Sequence, residues 1–155
     1  MATLTISDTR TADNDASGQR LVALLAAAGV RLVPHQILPD EPTELDRFLL
    51  ALPSRADAAV LTGGTGISQR DQTYEALVRR FDKQLDGFGE AFRALSFQQI
   101  GPRAMLSRAV AGVIAGVVVF ALPGSTGAVE LGVSQLVVPV LAHAVDLARG
   151  RIVHS

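Results

Sequence analysis

The sequence predicts one α/β domain, a mostly parallel sheet with helices on both faces. Two observations carry that expectation. Strand-like and helix-like segments alternate in a β-α-β-α-β order over the first 61 residues, and parallel neighbours must be joined by such crossovers. The third strand-like segment, Asp57 to Leu61, then runs straight into the glycine-rich turn Thr62-Gly63-Gly64-Thr65-Gly66. That is how a strand leaves the carboxyl edge of an open sheet, where ligands sit.

Each element follows from its residues. Ala2 to Ser7 suits a short strand, and the polar run Asp8 to Asp15 a loop. Ser17 is a possible cap for a helix whose apolar positions Leu21, Leu24, Leu25 and Ala28 recur at helical spacing, with Gly29 as its stop. Val30 to Leu38 reads as the second strand and Pro39-Asp40-Glu41-Pro42 as a turn. Leu45, Leu49, Leu50 and Leu52 mark a second helix, ended by Pro53. Beyond the glycine-rich turn, Gln72 to Phe81 and Gly87 to Gln99 read as helices. Ala109 to Ile114 and Val117 to Leu122 read as strands meeting near Ala115-Gly116, as in a hairpin. Pro123-Gly124-Ser125 turns the chain into a long apolar C-terminal helix, bent or interrupted at Pro139.

Composition narrows the class. A single domain of 155 residues, 48% apolar and 19% charged, can bury a full core without staples. The net charge of -1 gives no electrostatic reason to expect nucleic acid or an anionic membrane as partner. The absence of cysteine removes a disulfide framework, a thiolate metal site and a cysteine nucleophile, and fits a reducing cytoplasm. The start shows no signal peptide. The apolar run Ala109 to Leu122 is shorter than the roughly 18 to 20 residues of a spanning helix and reads as buried strands. His35, His143 and His154 are scattered, without metal-ligand spacing.

The turn from Thr62 to Gly66 carries the chemistry. Its glycines let the backbone adopt positive φ and approach a ligand closely. Successive N–H groups can form an anion nest, and Thr62 and Thr65 add hydroxyl donors. The pattern lacks the Lys-Ser/Thr ending of a P-loop and the spacing of a dinucleotide fingerprint. A tight strand-to-helix turn without ligand is the alternative. Asp71 lies just beyond it. A carboxylate beside a phosphate site is repulsive unless a cation such as Mg2+ bridges them; a helix cap near Gln72 is its plainer role. Asp40 falls at the same sheet edge, in a turn whose Pro-Asp-Glu-Pro composition is sufficient reason for it. Ser7 and Asp8, ending the first strand, share that edge.

The runs Thr62 to Gly66, Arg70-Asp71-Gln72-Thr73, Gly87-Phe88-Gly89-Glu90, Leu106-Ser107-Arg108 and Leu122-Pro123-Gly124-Ser125 resemble, in order and spacing, the MogA/MoaB family of molybdenum cofactor biosynthesis proteins. Asp71-Gln72 and Ala91 to Phe97 look closer to the MoaB-like branch. The resemblance implies a three-layer αβα domain assembled as a trimer or hexamer. It implies adenylyl transfer from ATP to molybdopterin with Mg2+, and the molybdenum insertase of the same pathway as a partner. By motif, the two aspartates associated with catalysis fall on Asp40 and Asp71, which would also hold Mg2+. Ser7, Asp8 and the turn Thr62, Gly63, Gly64, Thr65 and Gly66 would take the nucleotide phosphates. Glu90, Ser107, Arg108, Pro123, Gly124 and Ser125 would form the pterin side, Arg108 as a phosphate-orienting cation and the turn before the C-terminal helix as a second anion site.

Two positions depart from the family pattern. Gly127 stands where many relatives carry a Lys, leaving Arg103 or Arg108 to supply a cation, and Tyr74 replaces a frequent Pro. A non-catalytic molybdopterin-binding or assembly paralogue is therefore the second reading. The apolar positions of the C-terminal helix read as core or as a subunit interface.

Overall fold

In the computed structural model, which describes residues 1–151, six strands form one sheet. They are β1 (Ala2–Ile6), β2 (Gln36–Leu38), β3 (Ala58–Thr62), β4 (Lys83–Gln84), β5 (Val110–Ile114) and β6 (Val117–Leu122), in the order β2-β1-β3-β6-β5-β4. β2, β1, β3 and β6 run parallel, and β5 is antiparallel to both its neighbours. The helices are α1 (Ala16–Ala27), α2 (Pro42–Ala51), α3 (Thr73–Val78), α4 (Asp86–Ile100), α5 (Thr126–Gly132) and α6 (Val138–Ala148).

Alternation along the strands builds two cores. Ala59 and Leu61 pack with Leu45, Phe48, Leu49 and Leu77 of α2 and α3. Ala58 and Val60 face the other way, toward Leu21 and Leu25 of α1, Phe92 of α4 and Val129 of α5. Successive strand residues point to opposite faces, so a strand covered on both reads as an unbroken apolar run. The three-layer αβα arrangement is the expected one. The β5–β6 hairpin is also as expected: Ala115 and Gly116 sit at φ 47 and 78, the left-handed pair of a two-residue turn.

Four elements differ from the sequence reading. The second strand is three residues, not nine. Pro34 has no N–H for a ladder, and the backbone there bonds the chain start instead: Val33 N–H to Met1 O at 3.0 Å, and the Met1 amino group to Arg31 O at 2.7 Å. β4 was not foreseen, because two exposed polar residues carry no periodic signal. The helix expected from Gln72 ends at Val78. The C-terminal helix is interrupted before Pro139, not at it: residues Val133–Val137 form a π turn in which Val138 N–H reaches back to Val133 O. Pro139 removes the donor that would meet the Gln135 carbonyl, so the ladder is already irregular there. His154 lies outside the described residues.

The helical stretch Thr126–Ala148 is long and apolar enough to cross a membrane by length and composition, which the sequence reading, fixed on residues 109–122, missed. Its first half packs on the sheet through buried Val129, Leu131, Val133 and Val137, whereas α6 buries no residue fully.

A buried polar network ties β1 to α1. Asp15 caps α1 by accepting from the Gly18 N–H at 3.0 Å, and its carboxylate lies 3.2 Å from His35 Nε2. His35 Nδ1 meets the Thr3 hydroxyl at 2.9 Å. Burial pushes the Asp15 carboxyl up, but hydrogen bonds from Thr5, Gly18 and His35 outweigh it and leave the group below its ordinary value of 3.8. A carboxyl depressed on folding stabilises the fold above its unfolded value and loses that contribution as pH falls through the folded one. Asp15→Asn is therefore expected to cost about 1–2 kcal/mol at neutral pH, with the two proteins converging below pH 3.8. Denaturant unfolding across acid pH checks this; a gap that persists at the acid end would refute it.

Candidate functional site at the carboxyl edge of the sheet

The four parallel strands end at one edge, and the loops leaving them carry most of the residues singled out in the sequence. Ser7 and Asp8 follow β1, Asp40 follows β2, the glycine-rich turn ends β3, and Pro123 to Ser125 follow β6. Because β5 runs the other way, its start lies at this edge too, and Ser107-Arg108 precede it.

The glycine-rich turn is wedged between its neighbours. Gly63 N–H donates to Leu122 O at 3.0 Å. Gly63 and Gly64 sit at φ 99 and 69, and a Cβ on them would lie 2.2 Å from Ile6 O and 2.1 Å from Thr73 Oγ1. Only glycine fits either position. Thr62 is buried and donates its hydroxyl to Pro123 O at 3.0 Å, so it braces the turn, and it is absent from the cavity wall. Among the described residues the N–H groups of Gly64, Thr65 and Gly66 have no acceptor. These three donors form the available part of the nest.

They open onto a cavity of about 490 Å³ that also takes in Asp71, Ser107, Pro123, Gly124 and Ser125. The rest of its wall went unnoticed in the sequence: Phe92, Ser96 and Ile100 along one face of α4, with Leu106 and Ala128. Their i, i+4, i+8 spacing was the available signal, and it reads equally as core. Arg103 is the cation in this wall, and its side chain makes no hydrogen bond or ion pair among the described residues. Gly127 is exposed, and a side chain there would enter open space.

Asp71 closes its own loop by accepting from Ser68 N–H at 2.8 Å. It does not cap α3, which starts without a side-chain cap. Asp40 and Asp8 lie beside the cavity in an acidic corner. Asp8 accepts the Asp40 N–H at 3.1 Å and pairs with Arg70. Burial pushes the Asp40 carboxyl above the usual carboxylate range; the Asp71 and Asp8 charges add to this, against the Gln72 N–H and Arg70. Thr73 Oγ1, near Asp40 on the Gly64 corner, is buried without a partner. No group of three or more His, Asp or Glu among the described residues could hold a metal. The set fits Mg2+, which needs only one or two carboxylates when phosphates complete its shell.

Three of the residues singled out in the sequence lie outside the wall of this cavity. Ser7 Oγ accepts from Thr9 and Arg10 N–H, both at 3.2 Å, and shapes its own loop. Glu90 is exposed in a separate cavity of about 420 Å³ with Asp86 and Arg93, and Asp86 takes the first turn of α4. Arg108 is absent from the wall of the cavity of about 490 Å³; it lines the cavity of about 420 Å³ with Glu90 and Ser107, and its guanidinium bonds Glu75 and backbone carbonyls.

The family profile described as "Probable molybdopterin binding domain" matches residues 2–143. The chain belongs to the MoaB/MogA family of molybdenum cofactor biosynthesis proteins. It is similar to molybdenum cofactor biosynthesis protein B of Halalkalibacterium halodurans, 50% identical over 90% of this chain and 84% of the relative. The protein of that name from Bacillus subtilis is 47% identical over 92% and 85%. The solved structure of the tungsten cofactor synthesizing protein MoaB from Pyrococcus furiosus superimposes with a TM-score of 0.85 at 39% identity, covering 96% of this chain and 95% of that one. The residues matched to the family include all six strands and the whole cavity wall.

Proposed function

We propose that this family member is a cytoplasmic molybdopterin adenylyltransferase. The observation that supports it best is the cavity pairing three free backbone N–H donors at Gly64 to Gly66 with the Arg103 side chain and Asp71. Both reactants are polyanions, so such a site must supply positive charge and alignment. A terminal phosphate oxygen of molybdopterin attacks the α-phosphorus of ATP; the bond to the β-bridging oxygen breaks, and pyrophosphate leaves. The nest and Arg103 hold phosphates, Ser125 lines the pterin side, and Phe92, Ile100 and Leu106 exclude water. Asp40 and Asp71 are the residues that would hold Mg2+, whose chemistry is to neutralise the phosphate charge. The adenylylated product then passes to the molybdenum insertase of the pathway.

One observation favours the second reading, a binding-only paralogue. Asp40 stands behind Gly64, with Oδ2 3.3 Å from the position of a Cβ there, and outside the cavity wall.

The proposal extends to assembly. α6 carries Val140 and Leu147 at 45% and 61% exposure, and burying that apolar stripe against further copies as a trimer or hexamer stabilises both surfaces.

Three measurements follow. Purified protein with molybdopterin, ATP and Mg2+ is expected to yield adenylyl-molybdopterin and pyrophosphate, and Asp71→Asn to lower kcat by about two orders of magnitude. No product from the unaltered protein would sink the enzyme reading, and bound molybdopterin without turnover would support the paralogue. Arg103→Gln is expected to raise the KM for an anionic substrate about tenfold by removing a charge-assisted contact; an unchanged KM removes Arg103 from the site. Light scattering of Val140→Asp and Leu147→Asp is expected to show a smaller particle than the unaltered chain. An unaltered chain that is monomeric, or that partitions into lipid vesicles, would overturn the assembly.

A further inference from the structure

The loop from Gly66 to Asp71 is a weak point of the site. It links two residues of the cavity wall, yet Ile67 is 68% exposed and Ser68, Gln69 and Arg70 are exposed as well. No buried apolar side chain anchors it between its ends. Among the described residues it is held by the Ser68–Asp71 pair of hydrogen bonds, N–H to Oδ2 at 2.8 Å and N–H to O at 3.1 Å, by Gln72 Nε2 donating to Gln69 O at 3.0 Å, and by the exposed Arg70–Asp8 pair.

Arg108 meets this loop from behind. Its backbone N–H donates to Thr65 O at 3.1 Å. Its Nε donates to Gly66 O at 2.9 Å and its Nη2 to Asp71 O at 3.3 Å. The same guanidinium pairs with Glu75, Nη1 to Oε1 and Nη2 to Oε2, the latter at 3.3 Å. It lies 5.0 Å over the Tyr74 ring. Four of the five guanidinium N–H donors are thereby engaged. The remaining Nη1 donor is the one left for a ligand, in a side chain that also lines the cavity of about 420 Å³. The Arg108 hydrogen bond also holds the Glu75 carboxyl below the usual carboxylate range, so the pair stays ionised.

We propose that Arg108 is a positioning residue: it clasps Gly66 and Asp71 on one guanidinium anchored by Glu75, and so sets the distance between the nest and the Asp71 carboxylate without touching a ligand. The kinetic consequence rests on the adenylyl-transfer reading above; the structural one does not. A lysine could keep the pairing with Glu75, but a point charge cannot span two carbonyls as the planar fork does. Tyr74 adds a flat surface that holds the fork's plane.

The test compares Arg108→Lys and Glu75→Gln with the unaltered chain, by hydrogen exchange of residues 66–72 and by kinetics. Arg108→Lys is expected to speed exchange in this loop about tenfold or more, the worth of a hydrogen bond to a charged group, and to leave β3 and β6 unchanged. It is expected to lower kcat about tenfold and to raise the Mg2+ concentration for half-maximal rate, with the KM for ATP within about threefold. Glu75→Gln should act in the same direction and less. Unchanged loop exchange overturns the clasp. A raised KM with unchanged exchange also overturns it, because Arg108 would then contact a ligand directly. Exchange that rises uniformly through the sheet overturns it in favour of a general stabilising role. If the unaltered chain makes no product, the adenylyl-transfer reading fails, and the exchange measurement still decides the clasp.

Discussion

Gly63 passes between the ends of two strands, and the site is arranged around that passage. Its N–H is held by Leu122 O, and the space of its missing side chain is filled by Ile6 O. The chain must therefore leave β3 in a left-handed conformation, and the residues that follow line the cavity. Gly124 rests on the same residue, a Cβ there lying 3.3 Å from Gly63 Cα. The β6 loop is thus placed over the turn by this packing together with the Thr62 hydroxyl on Pro123 O. A bulkier residue at Gly63 would push apart β1, β3 and β6 together, which makes the glycine-rich turn and the sheet edge one mechanical unit.

Charge is sorted around this unit. Asp8, Asp40 and Asp71 gather on one side, tempered only by Arg70, and burial together with mutual repulsion pushes Asp40 up. Arg108 is engaged behind the loop and Arg103 stands in the cavity wall. The result is an acidic corner beside a cavity whose wall carries Arg103; on the adenylyl-transfer reading, a divalent cation would bridge the two. The two arginines that sequence reasoning held as interchangeable sources of charge thus have separate positions, one facing the cavity and one facing the backbone.

Much of the fold was legible because its signals are local. Both helices flanking the second strand, the β3 run and the Ala115-Gly116 hairpin each declare themselves within a few residues, through periodicity or turn chemistry. β4 was not, and β2 was read too long at its start, because the extent of so short a strand is set by its neighbour's open edge rather than by its own pattern. The interruption of the C-terminal helix, expected at Pro139, lies one turn earlier at Val133–Val137: Pro139 signals a missing donor, while the distortion appears where the orphaned carbonyl lies.

By itself the sequence determined which backbone could turn and which residues could carry charge: the glycines of the nest, the three aspartates, and the order of strands that brings their loops to one edge. Hydrogen-bond partners were decided only by the tertiary structure, because a polar side chain chooses among groups far apart in the chain. Thr62 and Arg108 both read as ligand donors in the sequence. Both turn to backbone carbonyls, Thr62 to Pro123 across 61 positions and Arg108 to Gly66 across 42. A buried carbonyl must find a donor, and which donor is nearest is a property of the packed sheet edge.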